Sequence, residues 1–148
     1  MRRGHVVSAM LAGVGLFGCA GDATKTQSAA ATVNPPADSV CTQGACRASV
    51  SVRDCVVTIN PEPLPVDGAN NIFWEMDGAS VADYSFTADG VVIPDYHKQF
   101  TNYGPFANNK KFKVHNNNTV KGPFYYMINV AKKDATRCPT HDPWIFNR

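Results

Sequence analysis

A chain of 148 residues with 44% hydrophobic and 18% charged side chains has the composition of one small globular domain with short appendages. Its formal charge is +2, and Arg2 and Arg3 alone supply an excess of that size, so the rest of the chain is close to neutral. That balance argues against a nucleic-acid partner, which needs a clustered basic face; the nearest cluster, Lys110, Lys111 and Lys113, reads as the solvated side of a strand.

The N-terminus "MRRGHVVSAMLAGVGLFGCAGD" has two arginines, an apolar run from Val6 to Phe17 and then the small residues Gly18, Cys19, Ala20 and Gly21. A charged start, a short apolar core and a small-residue cleavage zone make a secretory signal, assigned to residues 1–18. A run of about a dozen residues is too short to span about 30 Å of hydrocarbon as a helix. Leu16-Phe17-Gly18-Cys19 resembles the lipobox of bacterial lipoproteins, with Leu16, Gly18 and Cys19 on its pattern. The resemblance implies cleavage before Cys19 and acylation there, hence a partner in the membrane itself, since two or more acyl chains anchor stably. The placement expected is the cell envelope. Ala20 directly after the cysteine leans towards the outer membrane; Asp22 is too far along to favour inner-membrane retention. Cleavage after Ala20, giving a secreted or periplasmic soluble protein, is the competing outcome.

From Cys19 to Val40 the chain holds no aromatic residue, much Ala, Ser and Thr, and a Pro-Pro pair. Ordering about 20 such residues costs more than their apolar surface returns, so 19–40 reads as a flexible tether. Beyond it, 41–148 shows short runs of period two. Cys55, Val57 and Ile59 share a face in "DCVVTIN"; Ile72, Trp74 and Met76 in "NIFWEM"; Tyr84 and Phe86 in "YSFTADGVVI", ahead of a turn signal at Asp89-Gly90. Phe112 and Val114 alternate with Lys111, Lys113 and His115, Phe124, Tyr126, Ile128 and Val130 make the longest stripe, and "WIFN" is the expected last strand. Turn-formers fill the gaps at Pro61 to Pro65, Gly68 to Asn70, Asn116 to Asn118 and Gly122. This pattern, with no helical periodicity, predicts an all-β Greek-key sandwich of about seven strands.

Five cysteines are an odd number, and either processing route removes or occupies Cys19. Cys41, Cys46, Cys55 and Cys138 remain and allow three pairings. The short loop "TQGA" suits a Cys41–Cys46 bridge, leaving Cys55–Cys138 to staple the ends of the domain if the strands that follow them run parallel as neighbours. Export makes the oxidised state the default.

"GPFYYMINV" resembles the penultimate strand of cupredoxin-like proteins, with Gly122, Phe124 and Tyr126 in corresponding positions and Ile128 where the copper-ligand cysteine would stand. Trp74 in "WEM", after a proline-rich stretch and "PVDGAN", resembles that fold's opening strands. The likeness implies a cupredoxin-like sandwich without its copper site, and the expected cofactor is none. Cys138 and His141 in "CPTH" copy the Cys-x-x-His of plastocyanin-like sites, which leaves a periplasmic copper-binding or electron-transfer protein as the alternative. His97, His115 and His141 are the candidate ligands for any metal. The "DPWIFNR" ending, with the strands just named, also resembles small exported β proteins of unknown function.

No Gly-x-Ser-x-Gly or HExxH pattern organises the Ser, His and acidic residues, and no enzymatic activity is expected. Tyr96, Phe100, Tyr103 and Phe106, within "PDYHKQFTNYGPFANNKK", gather in what reads as a long connection. They form either a recognition loop for a small ligand or an envelope protein, or a cap on an open end of the sandwich. The expected function is a non-catalytic binding or structural module.

Overall fold

Alternation of inward apolar and outward polar side chains builds the longer strands, and their inward faces meet in one core. The computed structural model describes residues 41–148 except 43 and 96; the expected signal peptide (1–18), Cys19, the tether (19–40) and Tyr96 lie outside the described residues. Eleven strand segments follow one another: β1 (Cys41–Thr42), β2 (Ala45–Arg53), β3 (Val56–Asn60), β4 (Leu64–Val66), β5 (Asn70–Met76), β6 (Tyr84–Val92), β7 (Phe100–Phe106), β8 (Lys111–Asn116), β9 (Gly122–Tyr125), β10 (Met127–Lys132) and β11 (Trp144–Asn147). No helix occurs among the described residues, so the chain there is all-β, as its period-two pattern requires. The segments exceed the expected seven for two reasons. β9/β10 is one expected run interrupted at Tyr126, and β1, β2, β4 and β7 are strands where none was expected, β4 beginning inside the proline-rich gap at 61–65.

The first layer has the order β1/β3, β2, β5, β8, β7. At its centre β2 and β5 run parallel, with Cys46 opposite Ile72, Ala48 opposite Trp74 and Val50 opposite Met76. The second layer is made of β6 with β10 and of β9, β11 and β4. Backbone bonds from Tyr126 to Pro143 (3.0 Å), Ile128 to His141 (2.8 Å) and Cys138 to Val130 (3.0 Å) join these parts into one ladder. The chain changes layer between β3 and β4, where Pro61 and Pro63 supply no N–H to extend a ladder.

The layers meet on Trp74 and Tyr126, both fully buried, with ring centroids 5.2 Å apart. The indole Nε1–H donates to the Tyr126 hydroxyl at 3.0 Å, which satisfies both polar tips inside an apolar core. Burial pushes the Tyr126 phenol above its ordinary range. Phe86 and Phe112 add a second contact between layers, edge to face at 6.0 Å.

Asp89-Gly90 makes no turn. β6 runs through it, with Phe86 opposite Val130 but Val91 opposite Ile128, so extra residues of β6 bulge out of the ladder. Glycine is needed because a Cβ at position 90 would stand 2.8 Å from the Phe86 Cβ and 2.9 Å from the Thr87 carbonyl oxygen. The bulge is pinned from outside. The Asp89 carboxylate accepts from Arg137 at 2.8 and 3.2 Å and from the Thr87 hydroxyl at 2.7 Å. Arg137 is the main reason that the Asp89 carboxyl titrates at about 2, below the ordinary carboxylate range. A depressed folded pKa contributes stability above the unfolded value of about 3.9 and loses it as the pH falls towards 2. The pair is half-exposed, so its worth is about 0.2–1 kcal/mol. In an NMR titration, Arg137→Ala is expected to move the Asp89 carboxyl from about 2 most of the way to about 3.9; an unmoved titration would show that Arg137 does not hold it.

Both expected disulfides are present. Cys41 and Cys46 face one another in the β1–β2 hairpin. Cys55, in the turn after β2, is joined to Cys138 in the irregular stretch between β10 and β11, with Cα atoms 5.0 Å apart. The geometry differs from the expected parallel neighbours. β3 and β11 lie in different layers, β11's parallel neighbour is β4, and the bridge therefore ties one layer to the other.

Candidate recognition site

The segment expected as a long aromatic connection contains a strand. Residues 94–99 make a short link, and Phe100–Phe106 is β7, the edge of the first layer. The link is fixed by Asp95, whose carboxylate accepts the N–H of Phe100 at 2.6 Å and of His97 at 3.0 Å. The expected aromatic group divides accordingly. Phe100 is 4% exposed and packs on Phe124 at 5.4 Å, the capping role. Tyr103 and Phe106 are 42% and 40% exposed, two of the large hydrophobic side chains that the described residues leave at the surface.

β7 is a blunted edge. Its ladder with β8 slips between Thr101 and Gly104, Asn102 has φ +55°, and Pro105 offers no N–H. Such features discourage the addition of another strand, so this edge can bind through side chains rather than by extending the sheet.

Tyr103 stands between two hollows. One, of about 530 Å³, lies between β7 and the β6 bulge and is lined by Asp89, Val91, Ile93, Asp95 and Lys98 among others. Partial burial, then the nearby Asp95 carboxylate, raise the Tyr103 phenol to about 12, so the hydroxyl stays protonated well beyond neutral pH and can donate a hydrogen bond. The other hollow, of about 650 Å³, opens on the outward face of the sheet and is lined by Asn71, Phe73, Asn102, Phe106 and Lys113. Phe106 meets Phe73 edge to face at 6.0 Å, and the Arg47 guanidinium sits 5.0 Å from the Phe73 centroid. Glu75 engages Arg47 and, at 3.0 Å, Lys111. Both hollows fall within the usual size of small-molecule sites, about 300–1,000 Å³.

The three histidines stand apart. His97 is exposed before β7; His115 lies on the outward face of β8 with Nδ1 3.1 Å from the Asn71 Oδ1; the His141 Nε2 is 3.1 Å from a Glu62 carboxylate oxygen. Ile128 is a fully buried core residue, and the Cys138 sulfur is consumed in its bridge to Cys55, so it offers no thiolate. Among the described residues no three His, Cys, Asp or Glu side chains converge on a point. These donors do not fit a blue-copper site.

Phe73 was readable but passed over. In "NIFWEM" the alternation that sends Ile72, Trp74 and Met76 inward must turn Phe73 outward, and an outward aromatic in mid-sheet is a binding signal. No protein-family model and no curated protein matches this chain.

Proposed function

We propose that this protein is a non-catalytic binding module of the bacterial envelope, exported by residues 1–18, acylated at Cys19 and held off the membrane by 19–40. The outer membrane is the favoured location. Two disulfides support an oxidising compartment outside the cytosol, and no helix among the described residues is long and apolar enough to cross a membrane. The observation that carries the binding role is the exposure of Tyr103 and Phe106 on a blunted edge strand, each bordering a hollow.

Tyr103→Ala tests the role. Its ring is not part of the core, so the melting temperature is expected to fall by no more than the equivalent of about 1 kcal/mol, while capture of the envelope partner drops at least tenfold. A large loss of melting temperature with unchanged capture would make the ring a cap and sink the proposal. Mass spectrometry of the intact mature protein is expected to find the acyl groups on Cys19 as the new N-terminus.

A further inference from the structure

We infer that the hollow on the outward face of the sheet takes an acidic oligosaccharide, a chain of pyranose rings bearing carboxylates; this deepens the binding reading and rests on it. The apolar part of the site consists of Phe73, Tyr103 and Phe106. The C–H bonds of a pyranose carry partial positive charge and settle on the electron-rich face of such rings, which is how a largely hydroxylated molecule gains from aromatic contact.

The polar part is unspent. The Asn71 Oδ1 is engaged with His115, but among the described residues its Nδ2 has no partner, and neither does the side-chain amide of Asn102 or the ammonium of Lys113. Two amides and an ammonium beside edge-to-face rings suit a ligand with many hydroxyl groups better than an apolar peptide, which would leave those donors desolvated.

Charge selects the acidic member of that class. Among the described residues no acidic side chain lines this hollow. The nearest carboxylate on the face, Glu75, is already shared between Arg47 and Lys111, so Lys113 adds a positive charge with no counter-ion among the described residues. The neighbouring hollow beyond Tyr103 sets Lys98 beside Asp95 and the Arg137-paired Asp89, so it lacks this preference. A ligand carboxylate would complete a charge-assisted hydrogen bond at Lys113. A flat anionic bilayer would meet the same charge, but not the concave placement of Asn71 and Asn102.

The test uses the chain from Ala20 onward, without the signal segment and Cys19, so that neither the apolar run nor an acyl anchor can mask weak binding. Tetragalacturonate is titrated by calorimetry, with maltotetraose as the neutral counterpart and phosphatidylcholine–phosphatidylglycerol vesicles as the membrane surface. Tetragalacturonate is expected to bind at least tenfold tighter than maltotetraose, to weaken with added salt, and to lose at least tenfold on Lys113→Ala and on Phe106→Ala at unchanged melting temperature. Equal binding of the two sugars, indifference to Lys113→Ala, or binding to the vesicles alone would overturn the acidic-saccharide inference. If no sugar binds while Tyr103→Ala still abolishes partner capture, this inference falls and the binding module stands; if Tyr103→Ala leaves capture intact, the module reading itself falls.

Discussion

Replacing Cys55 and Cys138 together by alanine is expected to lower the unfolding free energy by about 4.5 kcal/mol, against about 2 kcal/mol for replacing Cys41 and Cys46. The difference follows from loop length. The first bridge closes 83 residues and the second only 5, and a cross-link stabilises by the logarithm of the loop it denies to the unfolded chain. For a domain of this size the larger loss corresponds to a melting temperature lower by on the order of 15–25 °C. It is comparable to the whole stability of many small domains, about 5–15 kcal/mol, so the variant should be marginal but foldable at low temperature. The position of the bridge adds a structural reason. Cys55 closes the turn between β2 and β3 in the first layer, and Cys138 sits where the second layer's hairpin turns back towards β11. Denaturant midpoints of the two double variants, measured without reductant, decide the matter. Equal losses, or a larger loss on removing Cys41 and Cys46, would show that loop entropy does not govern these bridges.

Period two carried the fold class because it follows directly from the pleat of a strand, and the inward residues of "NIFWEM", "KFKVHN" and "YMINVA" are those that the alternation marks. β2 obeys the same rule, with Cys46, Ala48, Val50 and Val52 buried between outward Arg and Ser, but its inward residues are small and give a weak apolar signal. β7 was hidden for the opposite reason. Gly104, Pro105 and Asn102 are turn-formers by composition, and only the sheet beside them holds them extended as an edge. The dipeptide Asp89-Gly90 misled because glycine answers two demands, a turn or a close approach, and here Phe86 and Phe112 set the second. The binding face was half legible: Tyr103 and Phe106 could be named from their aromatic density, whereas their meeting with Phe73 and Lys113 depends on register across β5, β8 and β7. No local signal encodes that register.

Asn118→Ala is expected to cost about 2 kcal/mol, more than a polar residue in an apparent turn would suggest. Asn118 is 5% exposed, and its Nδ2 lies within hydrogen-bond reach of the carbonyl oxygens of Val66 (3.2 Å), Gly68 (2.9 Å) and Arg148 (3.2 Å), so one amide group joins the ends of β4 and β11 to the start of β5. Its own N–H donates to the Asn116 Oδ1 at 2.9 Å, and the Asn116 Nδ2 donates to the Asn147 Oδ1 at 2.8 Å, both residues being fully or almost fully buried. From there Asn147 reaches the Val120 carbonyl at 3.0 Å. Alanine would remove the donors of that amide at about 0.5–1.5 kcal/mol per hydrogen bond, since the Val66 carbonyl keeps the Arg148 N–H at 2.9 Å, the Arg148 carbonyl keeps the Lys121 ammonium and Gly68 is exposed to water, and it would lose the polar side chain by which asparagine tolerates φ +51° better than alanine does. These two contributions separate experimentally. Asn118→Gly keeps the lost bonds but removes the backbone strain, so it should recover about 1 kcal/mol relative to alanine. Asn118→Asp turns a donor into an acceptor facing three carbonyls and should be the worst of the three. Urea unfolding of the set, giving that order, would establish that an amide network rather than apolar contact closes this end of the sandwich. A loss below about 1 kcal/mol for alanine would mean that water replaces the side chain at little cost, and that the end is held by the strands alone.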